Sequence, residues 1–200
     1  MPYRSDRKFT DTVHEKAALN HIYADLGWAE RTDITPAERE EIDINKGIDY
    51  VMTSDGIDRI YVQERFREMQ YATYSDVTLR YRRDENNHRE RRESEYYKIR
   101  AKYLVYGIID KTKEHVLYDS RDIDFIKFAV VDIEKLRQHT CMGDIVISDD
   151  IPRSYARNGI LYAAVKQNTD RSSSFVVFDV NSLNDLFGDE GIILYQKGYF

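Results

Sequence analysis

The sequence predicts an α/β (α+β) domain, a mixed central sheet flanked by helices in the order α-β-β-β-α-β, with a C-terminal α/β extension. Three observations predict it. A helix with a capping signal and an apolar stripe comes first. Alternating runs joined by an Asp-Gly turn come next, and an almost wholly apolar run, Tyr103 to Asp110, follows a charged helical stretch. The 200 residues read as one domain, with the core over residues 11–110 and the strands and helices of 111–200 extending it.

Residues 1–10 read as a loose cationic arm. Thr12-Val-His-Glu15 fits a capping box, and the helix it starts ends at Gly27. Glu15, Leu19, Ile22 and Leu26 then share a face, so a carboxylate heads an apolar stripe. Trp28 to Glu40 reads as a polar loop in which Thr35-Pro36-Ala-Glu38 starts a helical turn. Asp49 sits in an apolar run that turns at Ser54-Asp55-Gly56. In the next run Tyr61, Gln63, Arg65 and Arg67 point to one side and Ile60, Val62, Glu64 and Phe66 to the other. The apolar side therefore carries a carboxylate, which is costly unless paired or cation-bound. Asp76 to Tyr81 reads as the third strand of the same meander, with Arg80 and Arg82 on its polar side.

Between Arg80 and Lys102 nine Lys or Arg face five Asp or Glu. Their interleaving suits a helix, read either as a solvated face or as a phosphate-facing one using Arg89, Arg92, Lys98 and Arg100 beside Tyr96 and Tyr97. Tyr103 to Asp110 reads as a central strand buried on both faces. Val116 to Tyr118, Phe125 to Val131, Ile160 to Val165 and the terminal GIILYQKGYF read as further strands. Asp132 and Asp179 each end an apolar run and read as helix N-caps.

Hydrophobic residues at 42% allow a core, and charged residues at 33% imply a heavily solvated surface. A net charge of −6 argues against a wholly basic nucleic-acid coat without excluding a local patch. One cysteine, Cys141, excludes an internal disulfide and a cysteine zinc cluster. The polar start is no signal peptide and no apolar run is long enough to span a bilayer, so the expectation is a cytoplasmic protein. His14 and His21 are about 10.5 Å apart along a helix, too far to share one metal. No Walker loop, dinucleotide fingerprint, zincin motif or nucleophile elbow is present.

An Asp on one strand followed by an acid or amide two residues before a cation on the next resembles the PD-(D/E)XK nuclease superfamily. The matching positions are Asp49, Gln63 and Arg65. The departures are Gln for the acid and Arg for the usual Lys. The second is not conservative, because Arg cannot deprotonate. The resemblance covers roughly residues 11–110. It implies a restriction-endonuclease-like core and a Mg²⁺- or Mn²⁺-dependent phosphodiesterase acting on DNA, or else a non-catalytic member that binds nucleic acid or a protein. It also implies Asp49, Gln63, Glu64 and Arg65 as catalytic residues, Glu15, Asp49 and Gln63 as metal ligands, and Arg67, Arg80, Arg82, Arg92, Lys98 and Arg100 along nucleic acid. Many such enzymes pair as homodimers. Two points stay open in the sequence. Glu15 is either a capping residue or a ligand. Asp43, upstream of Asp49, is either a solvated loop residue or a second acid.

Overall fold

The chain begins as a helix, not an arm. Helix α1 (Pro2–Val13) continues without a break as a π-helix over His14–Tyr23 and a last α-turn, α2 (Ala24–Leu26), closed by Gly27 at φ 67°. The structure is a computed structural model that describes residues 2–82, 94–169 and 173–199. Thr12 is interior to this helix and donates its hydroxyl to the Lys8 carbonyl, so no capping box forms there. The buried residues Val13, His14, Ala17, Ala18, Ile22 and Tyr23 recur at spacings of four and five, matching the wider i→i+5 winding.

Two sheets follow. The first orders β1 (Ala29–Glu30), β2 (Tyr50–Thr53), β3 (Ile60–Arg67), β5 (Tyr103–Ile109), β6 (Phe125–Asp132) and β11 (Ile193–Lys197). Every pair in it is antiparallel except β3 with β5. The second orders β4 (Asp76–Arg82), β10 (Ser174–Asp179), β9 (Ile160–Gln167) and β7 (Ile145–Ser148), with β8 (Tyr155–Arg157) also on β9. The third run of the expected meander thus leaves the first sheet and pairs with β10. Its apolar side, Val77, Leu79 and Tyr81, had a second sheet to cover, which local alternation cannot reveal.

The first sheet is buried on both faces. Leu104, Tyr106 and Ile108 of β5 enter the core between the sheets, while Val105 and Ile109 enter the core under α1. On β3 the α1 side takes Val62 and Phe66, so Glu64, which lies between them, points the same way. Helix α3 (Pro36–Lys46) is longer than the expected turn, with Thr35 and Glu38 forming a capping box and Gly47 ending it at φ 59°. Val116 to Tyr118 belongs to helix α5 (Lys113–Tyr118), not a strand, because Thr112 accepts from the His115 N–H and starts a helix. Short helix α4 (Glu95–Lys98) precedes β5. Asp132 and Asp179 cap α6 (Ile133–Met142) and α7 (Val180–Phe187) as expected, accepting from Lys135 N at 3.0 Å and Ser182 N at 2.8 Å.

Candidate functional site

Asp49 stands just ahead of β2, and its backbone N–H bonds to the Val62 carbonyl at 2.9 Å. That pairing fixes its carboxylate against the neighbouring strand. Its Oδ2 accepts from the Gln63 side-chain amide at 2.7 Å and from the Glu64 backbone N–H at 2.8 Å. Asp49 is 8% exposed. Burial pushes its carboxyl up to about 7; the Glu64 N–H bond opposes this, and the charges of Glu64 and Asp43 add to it.

Glu64 is more deeply placed, at 4% exposed. Its Oε1 accepts from the Tyr23 hydroxyl at 2.6 Å and lies 2.7 Å from His14 Nδ1. Among the described residues its buried Oε2 has no hydrogen-bond partner. The other ring nitrogen of His14 lies 3.5 Å from Glu30, and the ring stacks on Tyr50 at 3.5 Å between centroids. Burial works against a charge on His14, but the hydrogen bonds and charges of Glu30 and Glu64 outweigh it and raise it to about 9. Glu30 is lowered in turn, chiefly by its bond to His14. His14 and Tyr23 reach one carboxylate because of the π-helix. In an α-helix of about 3.6 residues per turn, that separation is about two and a half turns and puts them on opposite faces. The i→i+5 winding brings it nearer two whole turns.

Asp49, Gln63, Glu64, Arg65 and Arg67 border one open cavity of about 620 Å³, closed on its other sides by Arg7 of α1, Asp43 of α3, Arg80 and Lys113. The two sides of β3 therefore border the same cavity, although Gln63 and Glu64 point opposite ways. Arg7 pairs with Asp43 and Asp11. Burial lowers its affinity for a proton, but Asp43, Asp11 and Asp49 together raise it above the ordinary value.

Glu15 is exposed on the helix and does not line this cavity, so it serves neither as a cap nor beside Asp49. The extended helix turns its neighbour His14 inward instead. Arg65 donates to the Thr78 carbonyl and to Glu95, both at 2.8 Å, and so ties the two sheets together. Arg67 donates to the Thr78 hydroxyl at 3.2 Å and lies over the Tyr71 ring. Arg82 pairs with Asp149. Lys98 and Arg100 are exposed, and Arg89 and Arg92 lie outside the described residues. Arg7, Tyr23 and Glu30 are residues that sequence reasoning missed, and His14 entered it only as a discounted metal ligand, while Asp43 was named there as a possible second acid. Arg7, His14 and Tyr23 depended on a helix running through the supposed arm and winding as a π-helix, and Glu30 on a strand, β1, inside the supposed loop.

Among the described residues no three His, Cys, Asp or Glu converge as a metal-holding set. Asp49, Glu64 and Gln63 do border one cavity. Mg²⁺ commonly keeps several waters and uses one or two carboxylates plus substrate phosphates, so this donor set fits a largely hydrated ion, not a closed protein cage. The unpartnered Glu64 Oε2 is the atom that such an ion would satisfy. No helix of the described residues is long and apolar enough to cross a membrane. Comparison with family models, curated proteins and solved structures finds no match to this chain.

Proposed function

We propose that this protein is a divergent nuclease-like phosphodiesterase acting on DNA, with Asp49, Gln63 and Glu64 as its centre and Mg²⁺ or Mn²⁺ as its cofactor. One observation carries the reading. The Asp49 carboxylate is held against the Gln63 amide and the Glu64 backbone at the wall of a cavity that arginines also border. One element of the expected core supports the same reading: β5 follows short helix α4 and lies parallel to β3, although β4, the expected third strand, pairs in the second sheet and α3 separates β1 from β2.

Asp49 and Glu64 would hold the ion, with Gln63, whose amide N–H bonds Asp49, holding that carboxylate in place. The chemistry supplied by a bound divalent ion is water activation and neutralisation of phosphate charge. The chain supplies the rest. Tyr23 and His14 fix Glu64 in one orientation and leave Oε2 turned away from both. Arg67, Arg80 and Lys113 border the cavity and would attract a phosphodiester backbone. Arg65, engaged with Glu95 and Thr78, holds the wall and offers positive charge, but cannot act as a base.

The expected result is that Mg²⁺ or Mn²⁺ raises the melting temperature and supports cleavage of plasmid or single-stranded DNA that EDTA stops. Asp49→Asn should abolish both responses. Absence of the thermal shift and of cleavage refutes the reading. A second reading rests on Arg7. Its guanidinium interacts with Asp43 and Asp49 and so brings a cation of the protein to these acids. The chain is then a non-catalytic member that binds nucleic acid, and salt-sensitive binding without metal-dependent cutting identifies it.

A further inference from the structure

A second cavity, of about 570 Å³, shares no lining residue with the Asp49 cavity. Tyr81, Tyr96, Tyr97, Ile145 and Ile147 form its apolar walls, and Arg100 and Arg137 border it. Its size lies within the roughly 300–1,000 Å³ usual for small-molecule sites. Arg137 of α6 donates to the carbonyls of Ile99, at 2.8 Å, and Tyr96, and its guanidinium lies 5.7 Å from the Tyr96 ring centre. These acceptors are neutral, so they orient the guanidinium without balancing its charge.

Arg100 is fixed through its backbone, whose N–H donates to the Lys46 carbonyl at 2.7 Å, while its side chain is exposed. Among the described residues neither guanidinium has a carboxylate partner. Glu134 borders the adjoining cleft, where Lys102 adds a third cation. Burial holds the proton affinity of Arg137 below its ordinary value, Tyr96 opposes this, and the charge of nearby Arg100 adds to it. Arg7, Arg31, Arg39, Arg65, Arg82 and Arg121 have carboxylate partners, whereas Arg67 bonds a hydroxyl and lies over a tyrosine ring.

We propose that this cavity binds a nucleoside monophosphate, its phosphate between Arg100 and Arg137 and its base against the tyrosine wall. A planar guanidinium pair matches phosphate oxygens. Tyr96 and Tyr97 meet edge to face at 5.0 Å, and Tyr81 lies 5.7 Å from Tyr97. Tyr81 and Tyr96 are buried, so the half-buried Tyr97 is the ring against which a base would stack. The walls are too apolar for a bare phosphate to use fully. The site does not depend on the hydrolytic reading, because none of its residues touches the Asp49 cavity.

The test is calorimetric titration with AMP, inorganic phosphate and adenosine, in EDTA so that metal chemistry plays no part. Exposed Cys141, the only cysteine, lines the same cavity, so its rate of alkylation reports occupancy independently. AMP should bind with salt-sensitive affinity and slow the alkylation. Inorganic phosphate should bind more weakly than AMP, and adenosine more weakly still. Arg100→Gln, at an exposed side chain, should weaken AMP by at least about tenfold, and Tyr97→Leu should erase the advantage of AMP over phosphate. AMP that neither binds nor protects Cys141 up to about millimolar concentration overturns the proposal. Equal AMP affinity in Arg100→Gln also overturns it, and equal affinity for phosphate and AMP in the unsubstituted protein overturns the tyrosine wall as the base site.

Discussion

Replacing His14 by Gln tests the buried ion pair under the sheet. Folding raises the His14 pKa from 6.5 to about 9, a difference worth roughly 3 kcal/mol of proton affinity in favour of the folded state. A base whose folded pKa is raised contributes stability that is complete below the unfolded value. That stability is lost as pH rises through the folded value, here across the window from 6.5 to about 9. At about pH 6 the substitution leaves Glu64 buried without its cation, at a cost of about 3–5 kcal/mol. At about pH 9.5 His14 is already neutral in the unsubstituted protein, so the two proteins should differ by roughly 3 kcal/mol less. Urea unfolding followed by the fluorescence of Trp28 measures both. Trp28 is the only tryptophan and stacks 6.3 Å from Tyr23. A His14→Gln effect of the same size at both pH values refutes a charged His14.

Asp49 gives the complementary test at lower pH. Its carboxyl rises from 3.8 to about 7, so the folded state keeps a proton that the unfolded chain releases, and stability falls as pH rises through that window. Asp49→Asn should remove this fall. The variant should gain on the unsubstituted protein between about pH 4 and 8, by up to roughly 4 kcal/mol, in the same urea assay. Gly107 lies on β5 where an added Cβ would meet Phe125 Cε1 at 2.5 Å and Phe66 Cδ1 at 3.1 Å. Gly107→Ala should cost about 1–3 kcal/mol, read as a lower urea midpoint at unchanged slope.

What the chain declared locally came through. The Asp-Gly turn joins β2 to β3, the apolar run of β5 is buried on both faces, and Asp132 and Asp179 cap the helices after their strands. The closeness of Asp49 to Gln63 and Glu64 was legible for the same reason, since a short hairpin brings its two strands together whatever surrounds them. Where local signals misled, a remote partner had decided. Thr12 to Glu15 has the spelling of a capping box, but Arg7 pairs with Asp43 and Lys113 with Asp6, and the helix runs on through the supposed cap.

By itself, then, the sequence determined alternation, turns and caps, which act over a few residues and need no knowledge of the rest of the chain. Only the tertiary structure decided that β4 belongs to a second sheet, that ten residues wind as a π-helix, and that Glu64 meets His14 and Tyr23. A buried carboxylate must find donors among whatever folding brings to it. Those donors are chosen by packing across the core, and neighbours along the sequence carry no record of the choice.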